Sequence, residues 1–134
     1  MRVIIDTNVF VSGIFWSGPP YKILKAWQLQ KITLVISQDI FDEYKRVAKA
    51  LTDKYPTIDT DPFLQSIAIN AEAHIPVVLK HPISRDPDDD KFIACALAAH
   101  VKFIISGDQD LLTLSRYQDI EIMTPALFVR KILN

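Results

Sequence analysis

The chain has 134 residues, 49% of them apolar, with 15 basic against 16 acidic side chains and three glycines. That length and apolar content suit one folded domain over residues 1–134 and exclude a disordered tail. The near-zero net charge excludes bulk attraction to nucleic acid or an anionic membrane, so any such partner needs a local patch, and Gly13, Gly18 and Gly107 make no cluster of the kind a P-loop or dinucleotide fingerprint requires.

In chain order, Val3-Ile4-Ile5 reads as the first strand, continuously apolar and rich in β-branched residues. Asp6 follows at once, an acid where a signal peptide would need a longer apolar stretch. Gly13 to Gly18 reads as a loop carrying Phe15 and Trp16. A helix is expected over 20–30, begun by Pro19-Pro20, then a strand at Leu34-Val35-Ile36 and helices over 38–51 and 62–73. Pro76, Pro82 and Pro87 keep 75–88 extended. A helix over 90–99, a strand at Phe103-Ile104-Ile105, a short helix near 109–115, a weaker strand at Glu121-Ile122-Met123 and a helix near 125–133 complete the chain. Strands alternating with helices predict a three-layer α/β/α sandwich with a mainly parallel central sheet.

Cys95 has no partner for an internal disulfide and reads as a small buried hydrophobe, which suits a reducing compartment. The longest apolar run, Phe92 to Ala99, is too short to span a membrane. A cytoplasmic protein with no membrane partner is expected.

Two predicted strands end at carboxylates. Asp6 follows Ile5, and Ser106-Gly107-Asp108 follows Ile105, with Asp110 beyond. Ligands of parallel sheets bind past the carboxyl ends of the strands, so both aspartates should reach the same edge. Asp at such an exit also serves as an ordinary cap. Glu43 stands on the border of the apolar stripe Ile40, Phe41, Tyr44, Val47, Ala48 and Leu51, where its side chain points either to water or to a shared site. In Arg85-Asp86-Pro87-Asp88-Asp89-Asp90-Lys91, some acids suit capping of the following helix. Asp90 shares a face with Ile93, Ala94 and Leu97, which marks it as the functional acid, with Asp88 and Asp89 in water.

Asp6, Glu43, Asp90 and Asp108 in one pocket would repel each other without a positive charge between them, and no lysine in these motifs suits that role. An all-oxygen set without His or Cys suits Mg²⁺ or Mn²⁺. Such a site performs phosphodiester hydrolysis. His74, His81 and His100 have no metal-ligand spacing.

These residues resemble the PIN domain nucleases. Asp6-Thr7-Asn8-Val9 is similar to the family's opening motif, Glu43 to its helical acid, Asp90 with Lys-Phe-Ile-Ala to its aspartate at a helix start, and Ser106-Gly107-Asp108-Gln109-Asp110-Leu111 to its Thr/Ser-x-Asp segment. The resemblance spans residues 1–128 and implies a Mg²⁺- or Mn²⁺-dependent endoribonuclease. Small members are often VapC-like toxins of toxin–antitoxin pairs, usually homodimers neutralised by an antitoxin protein. The likeness implies metal binding by Asp6, Glu43, Asp90 and Asp108, with Asp110 as a fifth ligand. It implies that Asn8 and Ser106 hold those carboxylates by hydrogen bonds. The run of acids leaves the register open by one or two residues, with Asp86 or Asp89 in place of Asp90.

For the RNA substrate, Lys45, Arg46 and Lys49 lie on the helix of Glu43, where a basic face either touches phosphates or is merely solvated. Trp16 either stacks a base, binds a partner or packs over the core edge. The other reading of the chain is a non-catalytic metal-binding or protein-interaction module that keeps the acidic pocket. A receiver-like signalling domain fits poorly, since Asp6 is single and Ile122-Met123-Thr124-Pro125-Ala126 contains no lysine.

Overall fold

A computed structural model describes residues 1–133. The strands are β1 (Arg2–Ile5), β2 (Thr33–Ile36), β3 (Glu72–Ala73), β4 (Phe103–Ile105), β5 (Arg116–Tyr117) and β6 (Ile120–Met123). They form one sheet in the order β3-β2-β1-β4-β6-β5, parallel throughout except for the β5/β6 pair. The helices flanking it are α1 (Thr7–Phe15), α2 (Pro19–Gln28), α3 (Gln38–Lys54), α4 (Asp61–Asn70), α5 (Asp90–Ala99), α6 (Gln109–Leu112) and α7 (Pro125–Phe128), the last continued by a π turn over Val129–Leu133. This is the expected α/β/α architecture.

All four strands read from the sequence form, as β1, β2, β4 and β6. Val3, Ile4, Ile5, Ile104 and Ile105 are wholly buried, because a parallel sheet is covered on both faces. The chain steps outward from β1 to β2 to β3, then returns to place β4 on the other side of β1. That reversal makes a switch point between β1 and β4, where a crevice opens at the carboxyl ends of the strands. The register aligns Ile5 with Ile105, and the Asp6 amide donates to the Ile105 carbonyl at 2.9 Å, so both strand exits lie side by side.

Several elements depart from the sequence reading. Thr7–Phe15 is a helix, although the sequence predicts none there and a loop from Gly13. Its β-branched residues and glycine disfavour a helix, but Thr7, Val9, Phe10, Val11 and Gly13 are all buried and Asp6 caps the first turn through the Val9 amide at 2.8 Å, so tertiary packing and the cap override propensity. A Cβ on Gly13 would lie 2.7 Å from the Leu24 side chain, so glycine lets α1 and α2 touch there. The helix expected over 62–73 stops at Asn70, and Glu72–Ala73 joins the sheet edge as β3. The helix near 109–115 ends at Leu112, and Arg116–Tyr117 turns back on β6. Both added strands have two residues, too few for a period to show.

The Phe10 and Tyr44 rings stack at 4.4 Å and join α1 to α3 inside the core. The Tyr44 hydroxyl donates to the Ile5 carbonyl, the last strand carbonyl before Asp6. Cys95 is buried, and desolvation pushes its thiol up to about 12, so it is an inert core residue.

Candidate metal centre

A cavity of about 170 Å³ opens at the carboxyl end of the sheet, lined by Asp6, Thr7, Glu43, Arg46, Asp89 and Asp108 among others. Asp6 comes from the exit of β1, Asp108 from the exit of β4, Glu43 from the second turn of α3 and Asp89 from the 3₁₀ turn Pro87–Asp89 that precedes α5.

Asp6 is almost wholly buried. One carboxylate oxygen accepts the Val9 amide and the other accepts the Ser106 hydroxyl, while that same hydroxyl accepts the Asp108 amide at 2.9 Å. Ser106 therefore ties the two strand-exit acids together. Burial raises the Asp6 carboxyl to about 6, against the lowering effect of its hydrogen bonds to Ser106 and Val9, and nearby Asp108 adds to the rise. Capping and convergence are not alternatives here, since Asp6 caps α1 and Asp108 caps α6 through the Asp110 amide at 2.9 Å.

Glu43 turns inward. It accepts the Thr7 hydroxyl and the Lys91 ammonium, the latter at 2.8 Å, with Arg46 at 3.7 Å. A lysine therefore does compensate one acid of the site, contrary to the expectation from the motifs, although Lys91 itself lines the neighbouring pocket beside Asp90. Burial opposes the Lys91 charge, but Glu43 and Asp88 outweigh it and hold the ammonium above its ordinary range. Thr7, not Asn8, holds the acid: Asn8 lines the cavity and is exposed, and its side chain makes no hydrogen bond among the described residues.

The structure places Asp90 elsewhere. Its side chain is buried, as its position on a packed face implies, but that face meets the segment 75–88. Its two oxygens accept the amides of Ile83 and Ser84 at 2.9 and 2.8 Å. The neighbour Asp89 faces the cavity instead. Its Oδ2 is buried and has no hydrogen-bond partner, while desolvation and the adjoining Asp108 carboxylate raise it to about 7. The signal that separates Asp89 from Asp90 in sequence is faint: Phe92, three residues after Asp89, lines the same cavity.

Asp110 sits at the edge of this group, 3.1 Å from the Arg85 guanidinium. Asp86, Asp89 and Asp110 offer oxygens within 4.8 Å of one another, so Asp89 belongs to both acidic groups. Each group has one acid already compensated, Asp110 by Arg85 and Glu43 by Lys91 and Arg46; the Asp86 group is the tighter of the two, and the cavity set draws on acids from four separate segments. Lys45 pairs with Asp42 at 3.4 Å and covers the Phe41 ring, away from the cavity, and Lys49 pairs with Asp53 at 3.7 Å. Trp16 is about half exposed, beyond the end of α1.

The orphaned oxygen of Asp89, the raised Asp6 carboxyl and the all-oxygen donor set fit a hard divalent cation. Each feature costs free energy in the metal-free protein, and a cation in the cavity would remove that cost. An uncharacterized protein of Methanocaldococcus jannaschii, MJ1680, is 31% identical to this chain, and the alignment covers 98% of this chain and 91% of that one. Residues 2–110 match the family described as PIN domain, whose members are generally metal-dependent nucleases. With most of its length inside that match, the chain belongs to the PIN domain family.

Proposed function

We propose that the protein is a Mg²⁺- or Mn²⁺-dependent endoribonuclease acting at the Asp6–Glu43–Asp89–Asp108 cavity. One observation carries this reading: acids from four separate chain segments meet in one cavity, and one of them keeps a buried oxygen without a partner. Asp6, Asp89 and Asp108 would hold the metal, with Glu43 beside them, and Asp89 takes the role that the sequence reading gave to Asp90. A divalent cation there would supply the Lewis-acid charge that phosphodiester hydrolysis needs.

The chain's own residues do the rest. Ser106 orients Asp6 and Asp108 together, and Thr7 and Lys91 orient Glu43. Arg46 is largely exposed at the cavity rim, where its guanidinium can hold a phosphate of the RNA strand. No histidine lines the cavity, so proton transfer falls to carboxylates.

We further read the protein as a cytoplasmic toxin of a toxin–antitoxin pair, working as a homodimer and restrained by an antitoxin. Ile75 and Val78 support the dimer, being at least nine-tenths exposed just beyond the edge strand β3, where a second copy would cover them. The direct test is cleavage of single-stranded and structured RNA with and without Mg²⁺ or Mn²⁺, with Asp108→Asn as the inactive control. Cleavage that needs no metal, or that survives in Asp108→Asn, would remove the reading. Sedimentation of Val78→Glu tests the dimer, which that charge should dissociate.

A further inference from the structure

Away from the acids, three aromatic rings gather where α1 and α3 end. Phe15, Trp16 and Tyr55 lie with ring centroids 5.8, 6.2 and 6.1 Å apart, the Trp16–Tyr55 pair edge to face. Phe15 is packed against the core and anchors the group, while Trp16 is 51% and Tyr55 39% exposed. The Lys54 ammonium stands 5.6 Å from the centre of the Tyr55 ring. Large rings left in water at a helix end mark a surface that something covers.

The place of the group identifies the partner. Helices α1 and α3 pack side by side; α1 begins at the cavity and α3 passes it at its second turn, where Thr7 is bonded to Glu43. At the α-helical rise, Trp16 lies about 13 Å along α1 from Thr7 and Tyr55 about 18 Å along α3 from Glu43. Arg46 stands at the cavity rim, and Lys54 lies about two turns further along α3, beside the Tyr55 ring. A track of cations that starts at a phosphodiester site and ends on aromatic faces matches a strand with anionic linkages and planar bases. A duplex hides its base faces, so the bound base is unpaired.

We propose that Trp16 and Tyr55, with Lys54, form a stacking subsite for an unpaired base of the RNA substrate a few nucleotides from the bond that is cut. The subsite rests on the reading of the acidic cavity as a ribonuclease centre, and it defines the substrate as RNA that is single-stranded on that side of the cut.

The test measures anisotropy of a labelled single-stranded RNA and of its duplex in Mg²⁺, with Asp108→Asn as the parent so that the strand stays intact. Adding Trp16→Ala and Tyr55→Ala should weaken single-strand binding by on the order of tenfold, while Trp16→Phe and Tyr55→Phe keep it within about twofold because a ring remains. Duplex binding should not change. Unchanged single-strand affinity in the alanine variant overturns the subsite, as does a parent that binds no single strand. A change in sedimentation with RNA affinity intact also overturns it and makes the patch a protein contact. Cleavage by the unaltered protein separates the two readings: intact cleavage with unchanged binding by the alanine variant removes the subsite alone. Ring-dependent RNA binding without any metal-dependent cleavage supports the subsite and removes the nuclease.

Discussion

The two sides of the α5 N-terminus carry adjacent aspartates in opposite electrostatic conditions. On the loop side, Asp90 is buried with both oxygens bonded to the amides of Ile83 and Ser84, and it fastens the proline-rich segment 75–88 to the helix. On the cavity side, Asp89 keeps a buried oxygen with no partner and faces Asp108. A satisfied carboxylate stabilises the fold, whereas an unsatisfied one among other acids destabilises it unless a cation arrives. Burial alone does not distinguish the two acids; unmet bonding does.

The sharpest way to break this contrast is to remove one charge from each side. Asp89→Asn should lower metal-dependent RNA cleavage by about a hundredfold or more, the upper end of what even indirect metal contacts cost, while the metal-free protein melts no lower than the unaltered one. Asp90→Asn should do the reverse, losing about 1–3 kcal/mol of stability because its amide N–H₂ meets a backbone N–H, with cleavage retained by the folded fraction. Thermal melts beside cleavage rates read both effects, and equal loss of activity in the two variants would merge the two sides into one site.

Next comes pH. Folding raises Asp6 to about 6 and Asp89 to about 7, so between those values and the unfolded carboxyl range near pH 4 the folded metal-free protein holds more protons than the unfolded chain. Their contribution to its stability is therefore present at low pH and lost as pH rises through about 4 to 7. The rise in Tm produced by Mg²⁺ should grow over the same window, since the ligands must ionise to bind. A metal-induced rise in Tm independent of pH would dissociate these two acids from the metal. The smallest effect is expected at Ser106. Ser106→Ala should weaken metal binding by about tenfold, whereas Ser106→Thr keeps the hydroxyl and the affinity, as a calorimetric titration would show.

Much of this was legible along the chain. Apolar, β-branched runs located the four long strands, and acids directly after two of them predicted a shared edge, which the Ile5/Ile105 register realises. Helix α1 was not legible, because a segment buried on nearly every side has no amphipathic period and its residues favour strands. The packed face of Asp90 predicts its burial, which the structure has, but periodicity does not say which neighbour covers that face. The pairing of Lys91 with Glu43 is not legible in sequence, because the two are 48 residues apart and meet only across the α3/α5 contact.

By itself, the sequence determined the class of fold, the abundance of carboxylates near the sheet edge and the two strand exits from which Asp6 and Asp108 project, since these follow from local composition and period. Tertiary structure alone decided which acid of the 86–90 run enters the cavity, which cations temper it and which aromatic rings stand at the far end of α1 and α3. Those outcomes depend on the relative placement of segments far apart in the chain, and on which buried polar atoms that placement leaves without a partner.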